Sequence, residues 1–219
     1  MQITISDKIK AVCPDLRVAV LHCKVKNSLT TDELGAAILT ESESIVSTYK
    51  LEDINKRPEI RATRKAYKAL GKDPNRYRPS SEALCRRIVR GLPLYRLSTL
   101  VDIINLVSIR SGYSIGGFDA GKIQGDVRLE VGKGEDEFEA IGRGLLNIEG
   151  LPVYRDELGG IGTPTSDNER TKISDSTTNL LILINGYDGG KALLQAIDFS
   201  KVLLEKYAYL ENFHVEILE

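Results

Sequence analysis

Residues 98–111 place the tightest constraint on the fold. Leu100, Val101, Ile103, Ile104, Leu106, Val107 and Ile109 surround a helix of about four turns and leave it no wide polar face. Such a helix has to be buried almost all round, so the rest of the chain must supply its cover. Asp102 and Asn105 interrupt it three residues apart, on neighbouring parts of its surface. An unpaired polar side chain in apolar surroundings costs on the order of 1–3 kcal/mol, so both need partners. Asp102 is expected to bond nearby backbone. Asn105 is expected to line a cavity and offer its amide to a ligand.

The cover is legible on both sides. Gln2–Ile5 and Arg17–Lys24 have strand character, and Thr30–Tyr49 reads as a helix with an acidic outer face. Arg57–Leu70 is a helix with Pro58 in its first turn and Gly71 at its end; Glu82–Arg90 follows behind Ser80 or Ser81 and stops at Gly91. After Gly112 the pattern turns to strands: Asp126–Val131, Glu137–Ile141 and Val153–Tyr154. Leu158–Lys172 reads as a polar, flexible loop, and Leu180–Ile184 is a continuous apolar run suited to a buried strand. A helix over Gly190–Tyr207 and a strand over His214–Leu218 complete the order. Helices and strands do not alternate as a doubly wound sheet requires. The expectation is α+β: one mixed domain over residues 1–219, with short, mostly antiparallel strands packed with helices. It is made of an N-terminal part (1–77), a central part (78–188) and a C-terminal helix and strand (189–219).

Charge is segregated. The whole chain carries −1, yet residues 56–96 hold thirteen Lys or Arg and three acids, a local +10 against −11 for the remainder. A positive block of this kind is the footprint of a phosphate-bearing partner, or a solvated face offset by acids folded nearby. At 100° per residue, Arg57, Arg61, Arg64, Lys65 and Lys68 share an arc facing away from the apolar side of their helix. Arg78, Arg86 and Arg87 extend the block, and all eight are candidate nucleic-acid contacts.

Several familiar chemistries are missing. His22 and His214 have no metal-ligand spacing, and Cys13, Cys23 and Cys85 form no CxxC pair. Asn185–Ala192 has a faint likeness to a phosphate-binding glycine loop, but Asn185 stands where its first glycine belongs and Ala192 replaces its Ser or Thr. No cofactor and no metal is expected. The apolar runs are too short to span a bilayer, no signal peptide is visible, and unpaired cysteines fit a reducing cytoplasm.

The run Arg96-Leu97-Ser98-Thr99-Leu100-Val101-Asp102-Ile103-Ile104-Asn105-Leu106-Val107, followed by Gly116-Gly117-Phe118-Asp119, resembles a pattern of the tRNA-binding and editing module of the phenylalanyl-tRNA synthetase beta subunit. Glu169–Asn179 is similar to that family's Glu-His-Ser-Gly-Val-Asn-Asp-Glu-Thr-x-Asn, and Arg78–Leu84 resembles small proteins made only of this domain. The resemblance covers roughly residues 78–188. It implies an α/β domain holding a pocket that hydrolyses mischarged aminoacyl-tRNA, with tRNA as partner and no amino-acid activation. It places Asn105, Gly116, Gly117 and Glu169 at the pocket, and gives Glu169 the task of reading a substrate hydroxyl, which a pairing site can do with high selectivity. The family's pocket histidine falls at Gly116 and its threonine at Ile104, so the imidazole is missing here and the pocket is expected to be larger. Two readings follow: a trans-acting aminoacyl-tRNA deacylase, or a non-catalytic module that binds tRNA or an amino acid. A structural partner for another protein, with the basic face against an acidic surface, is a third.

Overall fold

Leu180–Ile184 lies at the centre of strand β9 (Asn179–Gly186), and apolar neighbours cover both of its faces. The computed structural model describes all of Met1–Glu219. In it β9 pairs antiparallel with β2 (Arg17–Lys24) on one edge and with β3 (Ser114–Asp119) on the other. Strand β10 (Glu211–Leu218) pairs with β2 and forms the outer edge, giving the order β10-β2-β9-β3. Side chains alternate along a strand, so Leu180, Ile182 and Ile184 enter one core while Leu181 and Leu183 enter another.

The first core is the helical side. Helix α5 (Thr99–Ser111) packs among α2 (Asp32–Thr48), α4 (Ser80–Val89), α6 (Leu193–Tyr207) and β3. As its composition demands, Leu100, Ile103, Ile104, Leu106, Val107 and Ile109 are buried. The second core lies between β9's other face and a second sheet, ordered β1-β4-β7-β8. That sheet comprises β1 (Ile3–Ile5), β4 (Val127–Val131), β7 (Pro152–Asp156) and β8 (Gly159–Gly162), and only β1 and β4 pair in parallel. Helices α1 (Asp7–Val12) and α3 (Pro58–Ala69), and the small hairpin of β5 (Glu139–Ala140) and β6 (Gly144–Leu145), complete the chain. The fold is α+β with mostly antiparallel strands. Cys13 faces the second core, Cys23 and Cys85 the first, and all three are free and buried.

Two expectations need correction. Leu158–Lys172 is ordered: it contains β8, a turn in which the Thr163 hydroxyl accepts the Thr165 and Ser166 N–H groups, and a short 3₁₀ turn over Glu169–Thr171. Its glycines, which suggest flexibility, are there for closeness. A Cβ on Gly162 would stand 2.5 Å from the Phe118 ring, and one on Gly160 2.9 Å from Phe138.

The second correction concerns charge. Arg57 precedes α3 with a non-helical backbone and turns inward, only 7% exposed. Its guanidinium donates to the Ile109 and Arg110 carbonyls at 2.8 and 2.9 Å, satisfying the end of α5 just before Gly112 adopts the left-handed cap (φ 82°). Arg64, Arg78 and Arg86 converge on Glu82, whose carboxylate they approach at 2.8, 3.4 and 3.8 Å. The Glu82 side chain is 2% exposed, so this is a buried acid that needs its partners. Removing the acid leaves the largely buried Arg64 and Arg86 without their counter-charge. Glu82→Ala is therefore expected to destabilise the fold by about 3–5 kcal/mol, measured by urea unfolding, and a loss below about 1 kcal/mol would refute the account.

Candidate functional site

A half-enclosed cleft of about 420 Å³ lies where α5, α4 and β3 meet the segment 166–175. Asn105 lines it from α5 and Gly117 from β3, joined by Leu84, Asp167, Lys172 and Asp175. Each of the two polar interruptions of α5 has its own local outcome. Asp102 accepts from the Leu97 N–H at 3.2 Å and from the Thr30 hydroxyl, so it holds the entrance to its own helix. Asn105 is half-buried and faces the cleft. Gly117 is required for close packing of the wall: a Cβ there would stand 2.4 Å from Ile104 Cδ1 and 3.2 Å from Ile173 Cδ1, so any side chain would displace two residues that line the cleft.

Strand alternation separates the two neighbouring glycines. Gly117 faces α5, whereas a Cβ on Gly116 would meet the Phe118 ring at 2.7 Å, on the other face of the sheet. Gly116 is not among the residues lining the cleft, so the lack of a side chain there does not enlarge it. Glu169 is also not part of the wall. It stands outside, where its carboxylate accepts the Gly142 N–H at 3.2 Å and pairs with Lys172, which does line the cleft. The Lys172 ammonium, with the Gly142 N–H, holds the Glu169 carboxyl below its ordinary pKa. Of the four expected pocket residues, the structure gathers Asn105 and Gly117, links Glu169 through Lys172, and turns Gly116 away.

Asp167 is the feature that sequence reasoning missed. Its carboxyl is wedged between β3 and β8, accepting the Gly117 N–H at 3.1 Å. Glycines make room for it: a Cβ on Gly162 would lie 2.7 Å from Asp167 Oδ1, and one on Gly116 3.4 Å from it. Burial pushes its pKa up to about 7, opposed only by that one N–H. A carboxyl at a cleft whose pKa burial raises toward neutrality can take up or release a proton there. Nothing in Ser166-Asp167-Asn168 as a string marks burial. The nearest signal is the density of glycine at 159, 160 and 162, which implies close approach by something.

The cations do not gather here: none of the eight candidate contacts lines this cleft. Arg57, Arg64, Arg78 and Arg86 are engaged as described, and Arg87 donates to the Pro93 carbonyl at 2.8 Å beneath Tyr95. Arg61 and Lys65 line a different depression, and Lys68 is exposed. His22 and His214 face each other across β2 and β10, and no group of three or more His, Cys, Asp or Glu is arranged to hold a metal ion. No helix is long and apolar enough to cross a membrane.

Comparison with known families decides the lineage. The model of the B3/4 domain matches residues 62–198, more than half of the chain. The chain belongs to the B3/4 domain family. It is a domain of the phenylalanyl-tRNA synthetase beta-subunit type. Among solved structures, it is similar to an N-terminal fragment of the phenylalanyl-tRNA synthetase beta-subunit from Pyrococcus horikoshii, at 15% identity and a TM-score of 0.48. That match covers 99% of this chain and 50% of the other, so the chain spans about half the length of that fragment. Comparison with curated proteins found no match.

A B3/4 domain built this way has a measurable signature in its stability. The folded chain keeps a proton on Asp167 that the unfolded chain releases, because the carboxyl rises from 3.8 to about 7 on folding. Stability therefore falls as pH rises through that window, by on the order of 3 kcal/mol. Asp167→Asn should flatten that slope and leave the variant more stable than the parent at pH 8, as read from urea unfolding at pH 4.5 and 8. Parallel curves for the two proteins would contradict the burial of this carboxyl.

Proposed function

We propose that the cleft receives the aminoacyl end of a charged tRNA and that the protein is a trans-acting deacylase of mischarged aminoacyl-tRNA. The observation that carries this reading is Asp167, a carboxyl with a pKa near 7 in a cleft sized for an amino-acid side chain. Membership of the B3/4 family, together with the resemblance of residues 96–119 and 169–179 to the editing module, supports aminoacyl-tRNA as the substrate class. In the reaction, Asp167 accepts a proton from water as its oxygen attacks the ester carbonyl. The Asn105 amide and the Lys172 ammonium are donors available to the carbonyl oxygen as it gains charge. Collapse of the adduct breaks the bond to the ribose oxygen, which takes the proton back from Asp167. The free amino acid and the uncharged tRNA leave. Glu169 acts through its pairing with Lys172, so it orients the ammonium and does not read the substrate itself.

A panel of mischarged tRNAs tests the reading. Hydrolysis of at least one is expected, with a rate that rises with pH through about 7 as Asp167 ionises. Asp167→Asn should slow it by ~10²-fold or more, the ordinary contribution of a general base. No release above background on any substrate, or full activity in the variant, would sink it.

One observation favours a second reading, binding without cleavage. No imidazole enters the cleft, and the position that would carry it, Gly116, faces the other side of the sheet. In that case the cleft retains an amino acid or an aminoacyl-tRNA end, and Asn105→Ala weakens retention measured by equilibrium dialysis while no substrate turns over.

A further inference from the structure

A second cleft, of about 360 Å³, opens between α3 and the turn that joins β9 to α6. Three cations from two distant parts of the chain line it: Arg61 and Lys65 from α3, and Lys191 from the turn. All three are exposed, and none has an ion-pair partner, unlike Arg64, Arg78 and Arg86 on Glu82. Two acids share the lining. Asp188 accepts the Tyr113 hydroxyl at 3.1 Å and the Gly190 N–H at 3.1 Å, neutral donors that leave its charge in place, so with Asp15 the lining holds three cations against two carboxylates, a balance of +1. Tyr187 also lines the cleft; it is 7% exposed and its hydroxyl has no hydrogen-bond partner, a polar group left unused where such groups are normally satisfied.

The turn explains how Lys191 comes to face α3. Gly189 and Gly190 have φ of 85° and 68°, a left-handed pair that ordinary side chains resist, and Gly190 packs against Arg17. The chain thus reverses at once from β9 into α6. Arg61 and Lys65 stand one helical turn apart, where like charges repel unless an anion lies between them. This is not the glycine loop that Asn185–Ala192 faintly resembles, because here side chains supply the charge.

We propose that this cleft is a binding site for a phosphate group, held by Arg61, Lys65 and Lys191. An arginine fork takes two phosphate oxygens and the lysines act as point charges on either side. The phosphate of an RNA backbone and that of a free phosphate compound share this chemistry. The RNA source extends the tRNA reading above, while the site itself stands apart from the first cleft.

The experiment measures two probes on the full chain and its variants. Unacylated tRNA is followed by filter binding across a salt series, and inorganic pyrophosphate by calorimetry. Lys65→Gln and Lys191→Gln are compared with Lys50→Gln, an exposed lysine after α2 and outside the cleft, after thermal unfolding has verified that each is folded. Both cleft variants should weaken at least one probe by ~5-fold and lower the slope of log K against log salt for tRNA by about 1, with Lys50→Gln within ~2-fold of the parent. Loss for tRNA alone supports the site with RNA as its source. Loss for pyrophosphate alone supports it with a free phosphate compound as its source. The site is overturned if neither probe depends on Lys65 and Lys191, or if Lys50→Gln weakens binding as much as they do. Deacylation that persists while neither probe's binding responds to the cleft variants would reject this site and leave the deacylase reading intact.

Discussion

Both faces of β9 are covered by apolar side chains, and most of the architecture follows from that. A strand with no solvated face has to lie inside, so the chain needs one layer of helices and one of strands on either side of it. Helix α5, which has no polar face of its own, fills the helical layer, and the second sheet fills the other. The first cleft opens where this arrangement runs out, at β3, beyond which β9's sheet has no further strand. There Ile104 of α5 packs directly on Gly117, and the polar Asn105 faces the cleft beside it.

The basic block divides by what the fold requires of it. Burying Glu82 demands compensating charge, and three arginines supply it; finishing α5 demands a donor, and Arg57 supplies that. These residues serve the interior. Seven of the thirteen remain exposed, and among them Arg61 and Lys65 stand together. The local excess of charge is thus divided between ion pairing that packs α3 and α4 and cations left to solvent.

Most elements were legible because their signals are local. Proline at the start of α3, glycine after α5 and the apolar run of β2 mark their own positions. The partners of the arginines were not legible, since Glu82 lies eighteen residues from Arg64 and its burial depends on neighbours elsewhere in the chain. Asp167 was hidden for a related reason. Its depth is made by glycines 116 and 162, from two different strands, and no string of polar residues announces that. Gly116 and Gly117 show how fine the limit is. Adjacent residues of one strand point to opposite faces, and without the register there is no means of assigning which one meets the cavity.

Two of the three thiols give the molecule an internal gauge of its own opening. Burial raises Cys23 to about 12 and Cys85 to about 11, so in the closed fold they are protonated and shielded from alkylating reagents. Both belong to the helical layer, whereas Cys13, on the other side of β9, borders the second cleft. Modification of Cys23 and Cys85 therefore reports the lifting of the helices from β9, while Cys13 can be reached from the cleft with the sheets still together. Reagent kinetics at the two enclosed thiols thus time the opening of one half of the core.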